Sequence, residues 1–63
     1  MRHFLFEETE EGFRFIVGAD DYAGALVLVE DMAWDGEFED ESNIVFICEL
    51  SEEEAEASGL DEY

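Results

Sequence analysis

Residues 43–50 read "NIVFICEL", and how this run is placed decides the architecture. It is β-branched and aromatic over strand length, which predicts a strand. With alternating side chains, Ile44, Phe46, Cys48 and Leu50 share one face. Val45 and Ile47 make the other face apolar as well, so the strand is expected to be covered on both sides or to lie centrally in its sheet. In that position Cys48 is a small buried hydrophobe and not a nucleophile.

Upstream, "HFLFE" at 3–7 and "FRFIV" at 13–17 flank "ETEEG", in which Gly12 can supply a positive φ; this reads as a β-hairpin. Phe13, Phe15 and Val17 are expected on the core face, with Arg14 and Ile16 opposite. The stretch "GADDYAGALVLVEDMAWDG" at 18–36 predicts a helix of about fourteen residues, capped by Asp20 or Asp21 and ended by Gly36. Its buried stripe is Tyr22, Ala25, Leu26, Val29, Met32 and Ala33. Val27, Leu28 and Trp34 fall off that stripe. They are expected to be partly covered by the C-terminal segment, the alternative being a self-association or partner contact.

Downstream, "SEEEAEASGLDEY" at 51–63 opens with a capping box of Ser51 and Glu54, and Gly59 suits the C′ position of a short helix. Leu60 and Tyr63 can dock back on the core. The order ββαβα predicts an α+β fold. It comprises a small antiparallel sheet of three strands, four if Glu37 to Glu39 adds one, with a long helix on one face and a short C-terminal helix. The 43–50 strand can lie beside either hairpin strand.

At 63 residues the chain is one compact acidic domain, 1–63, and 48% apolar content separates it from disordered acidic tails. Against this stand 20 Asp plus Glu and two Arg, a formal charge of −18. A like-charge pair about 8 Å apart in water costs roughly 0.5 kcal/mol, so a dozen such neighbours could consume most of the ~5 kcal/mol that holds a small domain together. Charge that works against folding needs a reason outside the fold: solubility, high salt or a strongly basic partner. Cys48 is the single cysteine, which fits a reducing compartment, and the short apolar N-terminal run fits neither a signal peptide nor a span; a cytoplasmic location is expected. An anionic membrane surface would repel the chain.

The residues that enzymes use are sparse. His3 is the single histidine and reads as a strand-surface residue, and carboxylate pairs are too common for any one to signal acid–base work. A calcium loop beginning at Asp31 would place Ala33 and Ser42 where oxygen ligands belong. No phosphate-binding glycine loop is present, and two arginines cannot track a nucleic-acid backbone. The expectation is a non-enzymatic binding protein with no metal or cofactor.

The acids fall in three sectors of the sequence. Glu30, Asp31 and Asp35 crowd the end of the first helix and lead into Glu37, Glu39, Asp40 and Glu41; Glu52, Glu53 and Glu56 lie on the second helix; Glu7, Glu8, Glu10 and Glu11 surround the hairpin turn. Trp34 sits inside the first sector, either as a core-edge residue or as an apolar anchor. The first two sectors with Trp34 are the candidate partner-binding residues. In length, acidity and compact α+β order the chain resembles the small DNA-mimic inhibitors of phages and mobile elements, anti-CRISPR proteins above all and antirestriction proteins more loosely. "FIVGADDYAGALVLVEDMA" followed by "ELSEEEAEASGLDEY" also looks like small mobile-element proteins. The resemblance implies a monomer or homodimer that blocks the basic nucleic-acid groove of a CRISPR effector subunit or similar protein in the host cytosol. The competing expectations are a halophilic protein, although Glu outnumbers Asp 14 to 6, and an antitoxin-like acidic regulator of some other basic protein.

Overall fold

The computed structural model describes residues 1–36 and 41–63, and among them the elements run in the order ββαβα, an α+β fold. Strands β1 (Arg2–Glu8), β2 (Phe13–Ala19) and β3 (Ile44–Leu50) form an antiparallel sheet in the order β2-β1-β3. Helix α1 spans Tyr22–Trp34 and α2 spans Glu52–Ser58, with one 3₁₀ turn at Glu41–Asn43. The fourth strand considered at 37–39 lies outside the described residues. Because β1 is antiparallel to both neighbours, β2 and β3 run the same way with β1 between them. Helix α1 makes the crossover.

Two cores result, one on each face of the sheet. Phe4, Phe6, Phe15, Val17 and Ala19 meet Ala25 and Val29 of α1, while Leu5 and Ile16 meet Ala55 of α2. Ile16, expected opposite the core, is 0% exposed for that reason. The C-terminal segment therefore covers the second face of the sheet and does not mask the surplus apolar surface of α1, a correction to the sequence expectation. Val27, Leu28 and Trp34 are all exposed, and so is Leu26, which was expected on the buried stripe. Tyr22, also at the rim, still sets its ring edge-on to Phe46 at 4.9 Å. Phe13, at the end of β2, is partly exposed where a core position was expected.

The largest correction concerns 43–50, which is an edge strand and not a central one. The pairing passes from Leu5↔Cys48 to Phe6↔Phe46, leaving Ile47 as the extra residue of a β-bulge. One inserted residue reverses the faces beyond it. Ile44 thus packs with the α1 core and Leu50 with the α2 core, where simple alternation put both on one side. Cys48 is exposed, not buried.

The local signals for helix ends and turns hold. Asp21 caps α1 by accepting the Gly24 N–H at 2.7 Å, and Ser51 and Glu54 form a reciprocal capping box. Gly12 adopts φ 79° and closes the hairpin turn with its N–H on the Glu8 carbonyl. The Glu8 side chain, 4% exposed, accepts the N–H groups of Glu10 and Glu11 in the same turn. Glu8→Ala strips acceptors from two turn amides and is expected to cost about 1–3 kcal/mol, with Glu8→Gln losing about half as much because an acceptor oxygen remains. Urea unfolding of both variants checks this; equal midpoints for wild type and Glu8→Ala would contradict it.

Candidate partner-binding surface

Helix α1 returns from the open end of the hairpin toward its turn, so its C-terminus, the 3₁₀ turn and residues 9–12 gather at one end of the molecule. The 3₁₀ turn is tied to the hairpin by the Thr9 N–H donating to the Asn43 carbonyl at 2.9 Å and by the Asn43 amide donating to the Glu10 carboxylate at 3.0 Å. Glu30, Asp31 and Asp35 are exposed at the end of α1, whose last turn has no basic residue. Asp35 is the C-cap. Carboxylates here oppose the helix dipole at a few tenths of a kcal/mol each, so they do not serve the helix.

At 100° per residue, Ala23, Val27, Glu30, Asp31 and Trp34 lie along the outward stripe of α1. Trp34 is 84% exposed, which removes the core-edge role. The stripe combines a large aromatic and a valine with two carboxylates between them. An apolar anchor ringed by like charge suits a partner that offers an apolar notch between cations.

The other sectors divide. Glu52, Glu53 and Glu56 are exposed on α2, but α2 lies on the opposite face of the sheet, so the fold does not join them to the α1 acids. They form a second, separate acidic surface. Of the hairpin acids, Glu7 accepts from Arg14 at 3.0 Å and Glu8 is turned into its own turn, leaving Glu10 and Glu11 exposed beside the α1 end. Glu37, Glu39 and Asp40 lie outside the described residues; Glu41 begins the 3₁₀ turn. Asp31 and Asp35, weighed as calcium ligands, belong to α1 and its cap.

Both arginines are committed. Arg14 pairs with Glu7, and Arg2 forks onto Glu49 at 2.7 and 3.0 Å, also lying over the Phe4 ring. The Arg2 hydrogen bonds hold the Glu49 carboxyl below its ordinary range, and Glu49 in turn raises Arg2. With its folded pKa depressed, Glu49 adds stability above the usual carboxylate pKa and loses it as pH falls through the lowered value. His3 meets Glu62, pinning the C-terminal residues to β1. What sequence reasoning missed is the exposed run Val45, Phe46 and Ile47. An apolar strand with two apolar faces reads the same whether doubly covered or left at an edge, and the bulge leaves no mark in composition.

With so few cations, screening should matter. Raising salt from about 0.05 to 0.5 M is expected to stabilise the fold by roughly 1–2 kcal/mol in urea unfolding. A chain folded only in molar salt would instead be a halophilic one.

Among the described residues no helix is long and apolar enough to cross a membrane. No family model, curated protein or solved structure matches the chain.

Proposed function

We propose that the chain is a non-enzymatic acidic mimic of nucleic acid, which enters the cationic groove of a nucleic-acid-binding protein in the cytosol of the host cell and blocks it sterically. The observation that carries this reading is a charge of −18 in which both arginines are already paired and the acids at the end of α1 oppose their own helix. Such charge costs the fold and benefits an encounter with a basic surface. The dimensions are compatible: the longest extent is 30 Å, and a duplex of that length carries roughly 18 phosphates at one per ~1.7 Å. Trp34 and Val27 would supply the apolar contact that a phosphate backbone lacks, and with it selectivity for one groove.

The sequence resemblance makes a CRISPR effector complex the first target to test. Target duplex bound to the effector is followed by gel shift while the chain is added. Displacement of DNA near stoichiometric amounts is the expected result. Undiminished DNA binding under a large excess of chain would oppose the reading. Capture of a basic protein that has no nucleic-acid site would favour an antitoxin-like regulator.

A further inference from the structure

We propose that the outer edge of β3 is a strand-addition site, at which an extended segment of the partner, apolar in the middle and bearing Lys or Arg at its ends, joins the sheet beside β3. The inference rests on the reading of the chain as a ligand for a cationic protein and specifies how that protein is held.

The two edges of the sheet differ. Along β2 the C-terminal residues run as a strap: the Ile16 N–H donates to the Asp61 carbonyl at 2.9 Å, the Tyr63 N–H to the Ile16 carbonyl at 2.8 Å, and the Gly18 N–H to the Tyr63 carbonyl at 2.8 Å. That edge is closed. Along β3 no strand pairs on the outer side among the described residues. Asn43 directs its carbonyl to Thr9, on the β1 side, and antiparallel alternation then turns the backbone groups of Ile44 and Phe46 outward. Edges left in water are commonly guarded by charge or proline; Ile44 to Cys48 has neither, and Val45, Phe46 and Ile47 are each about 40% exposed.

Charge selects the occupant. A second copy would bring another −18 and no uncommitted arginine to offset it. A segment with cationic ends is drawn by the net negative charge of the chain while its apolar centre covers Val45, Phe46 and Ile47. Backbone hydrogen bonds would give affinity and the end charges specificity.

The test uses the full chain and two synthetic peptides of equal charge, each with lysine pairs at both ends. One has a Val/Thr centre that can form a strand, the other a Gly/Pro centre that cannot. Amide hydrogen exchange is read by NMR. The Val/Thr peptide is expected to slow exchange at Ile44 and Phe46 by about tenfold or more, with binding that weakens as salt rises, and the Gly/Pro peptide to leave both amides unchanged. Binding of the Val/Thr peptide without slowing at those amides overturns the edge site while leaving a cationic partner in place. Failure of both peptides to bind also overturns it, and the DNA-displacement experiment then decides the function separately. Protection that appears without peptide, grows with protein concentration and strengthens with salt assigns the edge to a second copy and overturns the proposal.

Discussion

Phe6→Ala is expected to leave the chain largely unfolded at room temperature. Phe6 lies in the central strand, 1% exposed, stacked on Phe15 at 5.8 Å and edge-on to Phe46 at 5.7 Å. It therefore joins all three strands on the α1 face. Truncating a buried phenylalanine costs about 3–5 kcal/mol, and a chain of 63 residues holds only roughly 3–9 kcal/mol in total. Phe13→Ala, at a partly exposed strand end, should cost about 1 kcal/mol or less. Far-UV circular dichroism with urea titration separates the two. A Phe6→Ala variant melting close to wild type would mean that the aromatic cluster is not what holds the sheet.

The second large effect is on binding. Replacing Glu30, Asp31 and Asp35 together by Lys is expected to weaken displacement of DNA by about a hundredfold or more, since loss of charge complementarity costs on the order of 1 kcal/mol per contact and reversal adds repulsion. The same variant should be slightly more stable than wild type, because cations at a helix C-terminus agree with the dipole by a few tenths of a kcal/mol each. Stability and binding thus move in opposite directions, a pattern that misfolding cannot imitate. Lys at Glu52, Glu53 and Glu56 supplies an equal change of charge on the opposite face. If both triple variants lose affinity equally, the end of α1 is not the contact and only the overall field matters.

Much of the fold was legible because local chemistry decides it. Caps at Asp21 and Ser51 and the positive φ of Gly12 follow from residue type. Placement of the elements was less legible. Whether Ile16 is buried depends on α2 crossing to the second face, and whether Cys48 is buried depends on which strand takes the centre; neither is local. The bulge at Ile47 undid the alternation of β3. For the candidate surface, the acids of α1 and the place of Trp34 off the buried stripe were readable from helical periodicity, but its full exposure was not, because that depends on where the C-terminal segment packs. Separation of the α1 and α2 acids by the sheet was not, because linear sequence gives sectors and not faces.

Trp34 is the chain's single tryptophan, so replacing it by 7-azatryptophan gives an emission that reports on the end of α1 and is distinguishable from the partner's own tryptophans. Titration of the chain with the effector complex, repeated across a range of salt, is the most direct measurement of whether this charge serves a partner. The expected result is a blue shift of that emission as water leaves the ring, with an affinity that falls steeply as salt rises. Emission that stays unchanged through the titration, or an affinity indifferent to salt, would contradict it.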